Sequence, residues 1–156
     1  METHALIEKF YTAFQQKDAE SMLACYHPEV VFEDPVFGQL NAVDAKAMWR
    51  MLIQRGKDLD LQFSIAATTK NSASANWIAT YTFSLTGRKI NNHIQANFII
   101  KDGLIYRHTD RFNLNKWLYM AFGIKGLLIA YMPPLKQKFK AGIQKTLQQF
   151  KIKSNI

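Results

Sequence analysis

Three ionisable side chains in this 156-residue chain have the types and spacing needed for moving protons. His108 and Asp110 stand two apart in Tyr106-Arg107-His108-Thr109-Asp110-Arg111-Phe112. On a strand they share one face, flanked there by Tyr106 and Phe112. A carboxylate on the apolar face of a strand needs a partner or a task. The pair therefore reads either as a general acid/base with an orienting imidazole or as an aspartate satisfied by its neighbour. The third group is Asp34 in Val31-Phe32-Glu33-Asp34-Pro35-Val36. An aspartate before proline commonly starts a turn and ties down backbone amides. If it faces an apolar cavity instead, burial raises its pKa and suits it to general-base work near neutral pH.

Other chemistries find less support. One cysteine, Cys25, excludes an internal disulfide framework and a multi-cysteine zinc site; beside Tyr26, with no evident base, it reads as a small buried hydrophobe. His4, His27, His93 and His108 lack metal-binding spacing, so neither a metal nor a cofactor is expected.

The elements that must position the three groups follow from periodicity. Residues 5–16 put Leu6, Ile7, Phe10, Tyr11 and Phe14 at helical spacing. Asp18 can cap a short helix over 19–26 that ends at His27-Pro28, and Asp44 a third helix to about Gln54. Val30-Val31-Phe32 reads as a short strand stopped by Pro35. Four strands follow with period-two alternation: Leu59 to Ile65, Trp77 to Leu85, Ile94 to Ile100 with a hairpin at Asp102-Gly103, and Tyr106 to Phe112. Helices followed by an antiparallel meander make an α+β domain. Its curved sheet wraps the helices as a cone with an open mouth, a natural small-molecule pocket. Trp49, Trp77, Tyr81, Phe83 and Phe98 are expected as core and pocket wall, which implies an apolar, ring-shaped ligand. Phe10, Phe14 and Phe112 complete that candidate lining.

Charge divides the chain. No acidic residue follows Asp110, whereas Arg111 and eight lysines do, giving +9 for residues 111–156 out of a net +8. Residues 1–110 are nearly neutral, so this is a domain (1–113) with a basic helical extension (114–156). The apolar stretch 117–132 is too short and interrupted to span a bilayer. Pro134 can open a last helix with Leu135, Phe139, Ile143, Leu147 and Phe150 along one side. That stripe either docks on the domain or a partner subunit, or lies on an anionic membrane. Nucleic acid is not an expected partner, because the tail has no arginine cluster and its aromatics sit on the apolar stripe. Met1-Glu2-Thr3-His4 has no basic n-region and no apolar h-region follows, which predicts a cytoplasmic protein.

Over residues 3–113 the order of elements and several motifs resemble the nuclear transport factor 2-like superfamily, in its SnoaL-like and ketosteroid-isomerase-like branches. The motifs are Tyr26-His27-Pro28-Glu29-Val30-Val31 leading into Glu33-Asp34-Pro35, the Lys17-Asp18-Ala19 and Gly87-Arg88-Lys89 turns, and Lys101-Asp102-Gly103 followed by Arg107-His108-Thr109-Asp110. The resemblance implies a conical pocket, with Asp34 at the isomerases' general-base position and Asp110 where SnoaL-like cyclases carry an acid/base aspartate. It also implies a homodimer through the outer sheet face. The chain departs from the isomerases at two places: their oxyanion-hole tyrosine falls on Phe10 and their protonated aspartic acid on Ala96. Steroid isomerisation itself is therefore not expected. Tyr11, about 100° of helix from Phe10, is a poor substitute. The resemblance leaves an acid/base isomerase, cyclase or hydrolase acting on a polyketide- or steroid-like compound, a non-catalytic carrier of a hydrophobic ligand, or a protein-binding scaffold.

Overall fold

The computed structural model describes residues 2–156. Helix α1 (Glu2–Gln15) buries Ile7, Phe10, Tyr11 and Phe14, the stripe its periodicity predicts. Asp18 caps α2 (Ala19–Leu23) by accepting the Ser21 amide at 3.0 Å. This helix stops short of Tyr26, which instead opens strand β1 (Tyr26–Asp34). Pro28 does not break β1 because the register shifts between Tyr26 and Val31 and the second neighbouring strand pairs only from Phe32 on. That neighbour, β2 (Gly38–Leu40), carries too few residues to show a period. Helix α3 (Ala42–Arg55) is capped by Asn41, which accepts the amide of Asp44; the expected cap Asp44 sits inside the first turn.

Strands β3 (Asp60–Thr68), β4 (Ser72–Phe83), β5 (Arg88–Lys101) and β6 (Leu104–Arg111) form the meander. The sheet order is β2-β1-β6-β5-β4-β3, antiparallel except that β1 runs parallel to β6. Strand β5 alternates buried and exposed over its whole length, so one face is core throughout. Leu85, placed at the end of that apolar face by its period, lies past the end of β4 and is 77% exposed.

The stretch after the sheet folds as two helices, α4 (Leu114–Phe122) and α5 (Ile124–Tyr131), broken at Gly123 with φ +65°. Gly126 lets α5 close on α4: a Cβ there would lie 2.0 Å from the Leu118 carbonyl oxygen. Prolines 133 and 134 open α6 (Pro133–Lys153).

Helix α6 lays Phe139, Ile143, Leu147 and Phe150 against the main core, with Leu147 only 1% exposed. Its Gln144 donates to the Phe37 carbonyl, and Lys151 pairs with Asp44. The expected open mouth is thus covered by the chain's own last helix. A second, smaller core of Ile90, Trp117, Leu118, Ala121 and Ala130 lies where α4 and α5 pack. A groove of about 710 Å³ lies on the opposite, outer face of the sheet, among Gln62, Asn76, His93, Gln95 and Arg111.

Candidate functional site

Strand β6 turns His108 and Asp110 inward, and both are buried. Their side chains meet directly: His108 Nε2 lies 2.8 Å from Asp110 Oδ1. On its other side His108 Nδ1 lies 2.8 Å from the Tyr26 hydroxyl, and Trp49 Nε1 donates to that hydroxyl oxygen at 2.7 Å. Trp77 Nε1 donates to Asp110 Oδ1 at 3.4 Å. One assignment gives every group a role. Trp49 donates to Tyr26, Tyr26 to His108 Nδ1, and His108 Nε2–H to the Asp110 carboxylate. This line of donors from α3 and β1 holds a carboxylate in place in the interior.

Aromatic rings enclose the imidazole. Phe98 lies 4.4 Å from it between ring centres, Phe32 5.1 Å and Phe10 5.5 Å, while Trp49 stacks at 5.9 Å. Phe14 packs on Trp49 and Trp77 behind them. Five of the proposed wall residues, Trp49, Trp77, Phe98, Phe10 and Phe14, therefore surround the His108–Asp110 pair. The other three lie elsewhere. Phe83 packs on Trp117 and Phe122 in the second core. Tyr81 and Phe112 sit where the two cores meet, with the Tyr81 hydroxyl accepting from Trp117 Nε1 at 3.0 Å.

Tyr11, which the helix period sets about 100° from Phe10, is fully buried in the same aromatic interior, stacked on Phe63 at 4.9 Å. An inward helical stripe is wider than 100°, so consecutive residues 10 and 11 both fit within it. Its hydroxyl has no hydrogen-bond partner. Burial, then the charges of Asp110 and Tyr26, push its pKa well above the ordinary phenol range, so it remains a donor. Leaving such a donor unpaired costs about 1–3 kcal/mol. Asp110 sits beside Ala96 in the β5–β6 register, and Ala96 beside Ala75, so the strand positions next to the carboxylate carry small side chains.

Asp34 is held apart from the pair. Phe32 is in register with His108 on the parallel β1–β6 pair, so Asp34 and Asp110, each two residues further on, follow on the same face. No hydrogen bond joins them. Asp34 Oδ1 accepts the amides of Val36 at 2.8 Å and Phe37 at 2.6 Å, the turn that Asp-Pro suggests. Desolvation nonetheless raises its pKa to about 7, with the Asp110 charge adding to the rise; the two amides and Lys140 of α6 oppose it. Turn-making and an available proton coexist in one residue.

Asp34 should also set a pH dependence of stability. Its carboxyl titrates near 3.8 when unfolded and near 7 when folded, so the folded state holds the proton more tightly. That contribution is complete below about pH 4 and is lost as pH rises through 7. For this half-buried group the loss is about 2 kcal/mol. Asp34→Asn keeps the amide acceptor and should flatten urea midpoints compared between pH 5 and 8. An unchanged slope in that variant would remove Asp34 as the cause.

Tyr26 is a site residue that period two does not reveal, because the count back from Phe32 crosses exposed Pro28 and the register shift between Tyr26 and Val31. Among the described residues no three His, Cys, Asp or Glu side chains gather to hold a metal ion.

Comparison with known proteins agrees with this fold. No curated protein matches the chain in sequence. Among solved structures, a proposed polyketide cyclase of Xanthomonas campestris pv. campestris superposes with a TM-score of 0.67 at 20% identity, over 77% of this chain and 96% of that one. TerC, crystallised with polyporic acid, gives 0.67 at 17% identity over 78% and 98%. An epoxide hydrolase of M. tuberculosis gives 0.61 at 16% identity over 85% and 96%. At these identities the likeness is one of fold, the nuclear transport factor 2-like cone. The family model for the SnoaL-like domain matches residues 7–108, from the first helix to the histidine of the buried pair. The chain is a member of the SnoaL-like domain family.

Proposed function

We propose that the chain binds an apolar, oxygen-bearing ring compound of polyketide- or steroid-like type and performs acid/base chemistry on it without a cofactor, as an isomerase, cyclase or hydrolase. The observation that carries this reading is the Tyr11 hydroxyl, buried without a partner within the field of the Asp110 carboxylate. A ligand oxygen is the acceptor this donor lacks. The hydrogen bonds to Asp110 fall on Oδ1, which leaves Oδ2 to take a proton. In the isomerisation case Asp110 takes the proton from a carbon beside a carbonyl, Tyr11 holds the oxygen where negative charge collects, and the same proton returns at another carbon. His108 orients Asp110, Tyr26 and Trp49 orient His108, and Asp34 with its pKa near 7 is a second proton-exchanging carboxyl nearer α6.

One observation favours a carrier instead: α6 closes the cone, and the interior side chains pack against one another. A single experiment separates the two. Enones, hydroxyquinones and epoxides are incubated with the protein and the products followed by mass spectrometry. Turnover should fall at least about a hundredfold in Asp110→Asn and at least about tenfold in Tyr11→Phe, with melting little changed. Full activity in Asp110→Asn would defeat the assignment. Binding without turnover of any compound would leave the carrier.

A further inference from the structure

Helix α5 is built inside out. Its buried residues are the small ones, Gly126 and Ala130, four apart, while Ile124 is 77%, Leu128 55% and Tyr131 73% exposed. A helix packed only to complete a core turns its large apolar residues inward. This orientation is fixed, because only a glycine at 126 fits against the Leu118 carbonyl. The exposed surface continues to Tyr119 on α4 and to Met132 and Leu135 where α6 begins. Lys116, Lys125 and Lys138 stand exposed along the same helices, and no carboxylate pairs with them among the described residues. Residues 111–156 contain no acidic side chain at all.

From this we infer that α5, with the adjoining ends of α4 and α6, docks the protein on an anionic membrane surface. Large aliphatic side chains, tyrosines at the margin and unpaired lysines suit the boundary between acyl chains and negatively charged headgroups. The attachment is peripheral: no described helix is long and apolar enough to cross a membrane. A second copy fits this face less well, since a two-fold contact would bring the lysines of both chains together with no carboxylate between them. The inference is independent of whether the interior site is catalytic, and it places the membrane contact on α5. From Phe139 onward the apolar stripe of α6 is already used against the core.

The test is sedimentation of the full chain with large vesicles of phosphatidylcholine alone or with about 30% phosphatidylglycerol, at low and high salt. Binding to the anionic vesicles should exceed binding to the neutral ones by about tenfold or more and weaken as salt rises. Ile124→Ser/Leu128→Ser, whose substituted side chains are exposed, should bind at least about tenfold more weakly while melting like the wild type. Absence of vesicle binding, equal binding to both compositions, or undiminished binding of the double variant would each overturn the proposal. So would a dimer, found by sedimentation velocity, that the double variant dissolves while vesicles leave the protein unbound.

Discussion

His108→Ala is expected to lower the free energy of unfolding by about 3–5 kcal/mol, the usual cost of leaving a buried charge without its hydrogen-bonding partner. The substitution has three effects at once. It leaves the Asp110 carboxylate with only the long Trp77 contact, it strips the Tyr26 hydroxyl of its acceptor, and it opens a hole among Phe98, Phe32, Phe10 and Trp49. Adding Asp110→Asn to His108→Ala should recover about 1 kcal/mol or more, because an amide costs less to bury unpaired than a charge. Urea denaturation of the two variants and the wild type at neutral pH measures both effects. A loss under about 1 kcal/mol for His108→Ala would mean that the network contributes little to holding the fold.

Leu147→Asp is expected to free α6 from the cone while the sheet stays folded. Leu147 is the most deeply buried residue of that helix, and a carboxylate at its position would lie within the main core. Burying an unpaired carboxylate costs several kcal/mol, comparable with what Phe139, Ile143 and Phe150 contribute together by their partial burial. The helix therefore gives way first. Trypsin should then cut at Lys140 and Lys145 at least about tenfold faster, while amides in β5 keep their protection from exchange. If the whole domain unfolds in one step, α6 belongs to the cooperative core. If cleavage is unchanged, the docking described above is wrong.

Much of the fold was legible because it rests on period. The α1 stripe, the alternation of β5 and the inward pairing of His108 with Asp110 need only counting. Where local rules competed with tertiary ones, counting failed. His27-Pro28 looks like a helix stop, but Pro28 is tolerated in β1 by a register shift beside an incomplete neighbour strand, and Tyr26 becomes a site residue as a result. Trp49 and Trp77 could be assigned to the interior, but which way an indole N–H points is set by packing across elements 33 or 23 residues apart. The closed mouth was hidden for the same reason: an apolar stripe states that a helix must be covered, and leaves open by what.

The contacts that close the cone join residues 107 positions apart, Gln144 to Phe37 and Lys151 to Asp44. During synthesis they cannot form until α6 has followed the sheet out of the ribosome. At ordinary translation speeds the last helix follows the rest by roughly one to five seconds. For that interval the nascent domain has its sheet, its His108–Asp110 pair and its aromatic interior, but no cover.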